Sequence, residues 1–293
     1  MEMVFDARTR CRQSIVNASF RAVVTGLLLA SGSVAANDHP FESTCWQQSF
    51  EDQFEQLDLY DATTGEGQWK TSYIWPRDVI INNELQYYID PSIHGHSPYL
   101  TDDGVLHIVA DRTTNVSLDT PVQSEYVSGV LTTEKSFAQQ YGRFEVSAKV
   151  PAGRGLWPAF WLLPSFDQWP EGVAVLPELD VMEFLGHEPR TFHTTLHTNQ
   201  TGKLTSHPYT HTLREDLTKE FHLYSTIWSE REVRWFIDGK LVARHPTPAD
   251  FTRPVHFLLN LAVGGNWPGA PDRNTRFPAH FEIDYVKAYK SIC

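Results

Sequence analysis

From Phe41 onward, apolar and polar residues alternate in short runs bounded by Gly, Pro, Asn and Asp. Alternation with a period of two marks strands that bury one face. The runs are Val105–Val109, Tyr126–Leu131, Gly142–Val150, Ala159–Leu163, Phe192–His197, Leu223–Trp228, Val233–Ile237, Val255–Leu261 and Phe281–Tyr289. Many short strands with turn residues between them predict an all-β sandwich or barrel. Val233–Ile237, Asp238-Gly239 and Lys240–Val242 read as a hairpin, because Asp-Gly suits a two-residue turn. Residues 213–221 (LREDLTKEF) read as a short polar helix or a loop. No repeat, low-complexity linker or composition break interrupts this pattern, so residues 37–293 are read as one domain.

One run breaks its own parity. In Glu178-Leu179-Asp180-Val181-Met182-Glu183, alternation points Glu178 and Asp180 one way and Leu179 and Val181 the other. The same alternation would bury Glu183 among apolar residues, at a high cost for a carboxylate. One extra residue, a β-bulge, would bring Glu183 back beside the other two acids. Three carboxylates would then line one wall of a cleft. Two-step glycoside hydrolysis needs a nucleophile and an acid/base about 5–5.5 Å apart, and this pattern can supply them. Acid clusters also occur as solvated surface or calcium ligands, so the neighbourhood matters. Trp157, Ala159 and Trp161 share a face by alternation, and Trp267 lies in the Gly/Pro-rich loop Gly264–Gly269. Tryptophan on a concave sheet stacks on pyranose rings and still donates its indole N–H; the alternative for Trp157 and Trp161 is core. His193, Thr195 and His197 share a face of the following strand.

Composition narrows the partners. The formal net charge is −12 with only 24 Lys+Arg, which argues against nucleic acid. Residues 1–36 read as a secretory signal: Arg8, Arg10, Arg12 and Arg21, the apolar Ala22–Ala30, then small residues at Ser33–Ala36. Ala22–Ala30 is too short to span a bilayer, and no later run is long enough. A periplasmic or extracellular, monomeric protein is expected. Cys11 leaves with the leader, so Cys45 and Cys293 remain. Two lone cysteines in an oxidising compartment commonly pair, which predicts a Cys45–Cys293 disulfide and neighbouring terminal strands.

The chain resembles glycoside hydrolase family 16 in several stretches that occur in order. These are Tyr126–Gly129, Tyr141–Glu145, Gly155–Trp161, the bulged E-x-D-x-x-E of Glu178–Glu183, Trp235–Gly239, Asn260–Trp267 and Ile283–Val286. Asn83–Tyr88 and Leu185–Pro189 are most like the bacterial endo-β-glucanases of that family. The resemblance implies a jelly-roll of two curved antiparallel sheets with the substrate in a concave cleft. It implies retaining, endo-acting hydrolysis of β-1,3 or β-1,3-1,4 linkages in a glucan or bacterial exopolysaccharide. Glu178 would be the nucleophile, Glu183 the acid/base and Asp180 the carboxylate between them. Trp157, Trp161, His197, Asn260 and Trp267 would contact substrate, with His197 also orienting a carboxylate. No cofactor is required, but the family often holds a structural calcium, here near Glu51, Gly104 and Asp284. A zinc site on His197 and His187 is set against this; retaining chemistry needs no metal. Competing readings are a transglycosylase, a non-catalytic lectin-like protein and a hydrolase of galactan or sulfated glycans. All three acids are present, which counts against the lectin reading, and few basic groups flank the motif, which counts against the sulfated substrates. Loops 93–100 and 164–177 are expected to set specificity.

Overall fold

Strand pairing follows the alternation closely enough to explain where each acidic side chain points. In the computed structural model, residues 45–166, 176–200 and 202–293 are described. They lie within one unit, His39–Cys293; the leader at 1–36 and most of loop 164–177 fall outside the described residues. The strands are β1 (Trp46–Asp52), β2 (Gln86–Tyr88), β3 (Tyr99–Asp102), β4 (Val105–Arg112), β5 (Tyr126–Ser128), β6 (Val130–Thr132), β7 (Gly142–Lys149) and β8 (Leu156–Pro164). They continue with β9 (Glu178–Phe184), β10 (Thr191–Thr198), β11 (Thr205–Thr212), β12 (His222–Trp228), β13 (Glu232–Ile237), β14 (Lys240–Pro246), β15 (Val255–Val263) and β16 (Ala279–Ser291).

One sheet runs β14-β13-β12-β7-β16-β4-β5-β2, with β1 on β16 and β3 on β4. The other runs β11-β10-β9-β8-β15-β6. This is the jelly-roll sandwich, with one departure from the expected antiparallel pairing: β2 and β5 run parallel. The core fills the space between the sheets. Phe144, Val146, Tyr224, Trp228, Trp235 and Ile283 from one side meet Phe160, Leu162, Leu179, Met182, Phe257 and Leu259 from the other. Each large apolar side chain buried there contributes about 1.5–3 kcal/mol. A second apolar cluster, with Tyr73, Tyr88, Val130, Ala159, Trp161, Leu163 and Leu258, lies on the outer face of β8, β15 and β6.

Two expectations shift, and one open alternative is decided. The run Tyr126–Leu131 is two strands, because the chain passes from one sheet to the other at Gly129. A Cβ there would sit 2.5 Å from the Tyr99 ring and 3.0 Å from Ile108, so only glycine fits. Residues 213–221 form turns and no helix, since their apolar positions do not recur at helical spacing. The strand β11 was not anticipated: TSHPYTHT is polar, contains Pro208 and sits at a sheet edge, where proline is tolerated. The Asp238-Gly239 hairpin forms as expected, both residues at positive φ (48° and 76°) with Ile237 opposite Lys240.

The disulfide also forms. Cys45 and Cys293 are bonded across a sequence separation of 248, and Trp46 pairs with Ser291 on the adjoining strands. Closing so long a loop restricts the unfolded chain by up to about 5 kcal/mol in the chain-entropy model. The β1–β16 ladder also ties these ends, so the C45S/C293S chain should lose less than the full amount, about 2–4 kcal/mol and about 5–15 °C in Tm. Calorimetry of the two chains would measure this, and an unchanged Tm would mean that the tie constrains nothing.

Candidate active site

The bulge lies where parity requires it. Against β8, Phe160 pairs with Met182 but Trp161 pairs with Asp180, which leaves Val181 without a counterpart. Against β10, His193 pairs with Glu183 and Thr195 with Asp180, two steps on one strand against three on the other. Val181 and Met182 both enter the core, at 1% and 0% exposure. Glu183 thereby regains the face of Glu178 and Asp180, and all three line one cleft with His197. The indole N–H of Trp235, on the opposite sheet, donates to the Asp180 carbonyl at 2.9 Å and anchors the backbone beside the bulge.

The acids sit in unlike surroundings. Asp180 is the most enclosed, with 3% of its side chain exposed, whereas Glu178 keeps 31% open to the cleft. The His197 Nε2 lies 3.1 Å from Asp180 Oδ2 and 3.8 Å from Glu178 Oε1. Glu183 accepts from the Trp157 indole at 3.2 Å and from the Thr195 hydroxyl at 3.3 Å. Burial, reinforced by the charge of Glu178, pushes its carboxyl up to about 7. Burial and then the charge of Glu183 push Asp180 up. Burial and then the charge of Asp180 also raise Glu178, while His197 pulls the other way; because Glu178 is partly open, solvent softens the burial effect. Three carboxylates this close titrate together, and at neutral pH the cluster retains a proton.

The cleft has a volume of about 600 Å³. Trp157, Trp161, His197 and Asn260 line it, and Trp267 does not. Trp267 stands on the rim, 42% exposed, with its ring centroid 5.4 Å from Trp157 and 4.7 Å from His193. Trp161 is buried yet faces the cleft, so core and site are not alternatives for it. Its indole donates to Asn260 Oδ1 at 2.8 Å, and the Asn260 amide donates to the Tyr88 hydroxyl at 3.1 Å.

Sequence reasoning missed the loop between β1 and β2 that forms one wall. It contributes Tyr73, Trp75, Pro76, Asn82 and Glu84. Tyr73 packs on Trp161 and Trp75 at centroid distances of 5.6 and 4.4 Å. Glu84 is buried, raised by that burial, and held by the amides of Asn82 (3.1 Å) and Gln86 (2.6 Å). The consecutive Asn82 and Asn83, both at positive φ (52° and 54°), were the available signal, since asparagine tolerates the left-handed region that turns this loop. Leu176 is the described part of loop 164–177 that reaches the cleft, and no residue of loop 93–100 lines it.

The metal expectations fare differently. Both Glu51 carboxylate oxygens accept from amides, of Gln53 and Gln48, and Lys287 lies 2.9 Å away. Asp284 accepts from Ser147 at 3.0 Å. Lys287 thus takes up the charge of Glu51, and no chemical step is routed through a calcium ion. His187 contacts Glu188 at 4.0 Å and is not grouped with His197; His197 is grouped instead with Glu178 and Asp180.

Residues 96–287 match the model of glycosyl hydrolases family 16. The chain is 40% identical over 249 residues to endo-1,3-1,4-beta-glycanase EglC of Rhizobium meliloti, covering 83% of this chain and 51% of that protein. It thus spans about half the length of that relative. It is 32% identical over 285 residues to a beta-glucanase of Rhodothermus marinus, covering 90% and 92% of the two chains. The laminarinase catalytic domain of Thermotoga maritima superposes with a TM-score of 0.68 at 30% identity, over 85% of this chain and 100% of that domain. A cleft built on a bulged three-acid strand, in a sandwich shared with these proteins and across most of its length, places the chain in glycosyl hydrolases family 16.

Proposed function

We propose that the chain is a secreted, monomeric endo-β-glucanase that cleaves internal β-1,3 or β-1,3-1,4 bonds with retention of configuration. The observation that carries this reading is the bulge: it sets a partly open carboxylate, Glu178, and a carboxyl raised to about 7, Glu183, on one face of a cleft. Glu178 attacks the anomeric carbon while Glu183 passes its proton to the glycosidic oxygen. The C1–O bond breaks, the leaving chain departs with a free hydroxyl, and the sugar is held as an ester of Glu178. Water then enters, Glu183 takes its proton, and the hydroxide displaces Glu178 as a carboxylate. Asp180 and His197 hold charge and proton between the two steps. The related glucanases support the substrate class, and the disulfide suits an oxidising compartment. Among the described residues no helix is long and apolar enough to cross a membrane.

Incubation with laminarin, barley mixed-linkage glucan, agarose and a bacterial exopolysaccharide tests the proposal. Shortening of the first two, with the β-anomer appearing first by NMR, is expected. Cleavage of agarose alone would overturn the substrate class, and first-formed α-anomer would overturn the mechanism. Longer products with an added oligosaccharide acceptor would identify a transglycosylase.

Glu84 has an assigned part in this reading. A carboxylate whose two oxygens each accept one amide hydrogen keeps lone pairs for sugar hydroxyls. Glu84→Gln should raise KM about 10-fold, the loss of one charge-assisted hydrogen bond, with kcat changed less than threefold. Equal loss in kcat and kcat/KM would show that Glu84 acts on the transition state instead.

A further inference from the structure

The residues of the proposed reaction are also a metal donor set. The ligand atoms of Glu178, Asp180 and His197 all lie within 4.8 Å of one another. Asp180 Oδ2 is completely buried and accepts no hydrogen bond, although His197 Nε2 stands 3.1 Å away. A carboxylate oxygen at such depth with one imidazole beside it and no aligned hydrogen bond is uncommon, because incomplete pairing of a buried charge is costly. The imidazole is pinned from behind: His197 Nδ1 bonds the Ser206 hydroxyl at 2.8 Å on the neighbouring strand. Ligation of an ion by Nε2 would set the tautomer with Nδ1–H donating to Ser206, the outer partner that fixes a metal-ligating histidine.

We propose that Glu178, Asp180 and His197 form an inhibitory zinc site. Zinc takes one imidazole nitrogen and two carboxylate oxygens readily, with water in the fourth position. Its tetrahedral bonds of about 2.0–2.2 Å place ligand atoms roughly 3.3–3.6 Å apart. The His197 nitrogen is 3.1 Å from one acid and 3.8 Å from the other, so small side-chain rotations close the set. The backbone does not need to move, since Glu178 and His197 are register partners on β9 and β10. The open side of Glu178 gives the ion entry and its water a place. A nitrogen donor selects zinc over magnesium and calcium, which prefer oxygen throughout. A bound ion would hold the Glu178 oxygen that must attack the sugar, so zinc and glucan exclude each other.

The binding half stands on geometry alone; the inhibitory half rests on the proposed reaction. Calorimetric titration of the full chain with zinc chloride, in a non-chelating buffer, reads the first half without any turnover. One site is expected, weakened at least tenfold in D180N and in H197Q. S206A keeps all three ligands and removes only the outer support, so it should weaken binding several-fold even if the other variants fold poorly. Magnesium should give no such site. In activity assays, raising the glucan concentration should relieve zinc inhibition, and EDTA should reverse it. Absence of zinc binding would overturn the proposal. So would wild-type affinity in H197Q with loss of binding in H207Q or H245Q, whose native rings lie 4.4 Å apart elsewhere. Zinc bound at the cluster but indifferent to glucan would overturn the inhibition, and a chain that binds zinc but cleaves no glucan would fail only the reading above.

Discussion

Glu178→Ala should reduce kcat on laminarin or mixed-linkage glucan by about 10⁴-fold, which corresponds to roughly 5.5 kcal/mol of barrier. The proposed reaction gives the nucleophile's role to Glu178 rather than Asp180 because it alone of the two is open to the cleft: 31% of its side chain is exposed, against 3% for Asp180. The Asp180 carboxylate instead faces the His197 Nε2 at 3.1 Å. Fold should survive the change, since truncating a partly open acid leaves no core void and removes like-charge repulsion. Added azide should rescue the cavity variant with an activated aryl glycoside and give a glycosyl azide of inverted configuration, because azide attacks directly in place of the missing carboxylate. Circular dichroism and Tm should match the parent. Turnover within tenfold of the parent, or rescue with retained configuration, would remove Glu178 from the role. Asp180→Asn should lose about 10²-fold, the scale of a residue that positions a proton without bonding to carbon.

The parity of β9 was legible because three acids and three apolar residues in one short run admit only one arrangement that buries no lone carboxylate. Leu179, Val181 and Met182 all had to reach the core, and the only way for consecutive Val181 and Met182 to do so together is a bulge. The strands β7, β12, β13 and β16 were legible from alternation, and β8 and β15, buried on both faces, as short apolar runs bounded by turn residues. What was not legible lacks a period. The loop Tyr73–Glu84 forms a wall of the cleft through two left-handed asparagines and aromatic stacking, none of which repeats along the chain. Gly129 hid a change of sheet inside the single run Tyr126–Leu131, because the reason for glycine there is a Tyr99 ring distant in sequence. Trp161 was posed as core or site, but a concave sheet packed against its own loop makes it both.

Glu183→Gln should be nearly as damaging on glucan, about 10³-fold, yet close to harmless for the first step on a substrate whose leaving group needs no proton. With a dinitrophenyl glycoside the glycosyl ester should form rapidly and then accumulate, because no base activates water. Azide, which needs no base, should release it with retained configuration, the opposite outcome to Glu178→Ala. The parent's pH profile follows from the same carboxyl. In the proposed reaction Glu183 must start protonated, and it is raised to about 7, so kcat/KM should fall about tenfold per pH unit above about 7. That limb should vanish in the variant. Stability should move the other way. A carboxyl whose folded pKa is raised stabilises the fold below its unfolded value, near 4.5, and loses that contribution as pH climbs through about 7. Above pH 7 the parent therefore carries an ionised Glu183 in a buried, acidic cleft, and Glu183→Gln relieves it. Discounted for partial solvent access, the gain is about 1–2 kcal/mol, or about 2–6 °C in Tm at pH 8, and it should shrink to nothing at pH 4. A variant that is inactive but no more stable at pH 8 would mean that the cluster sheds its repulsion some other way, with the retained proton on Asp180 rather than on Glu183.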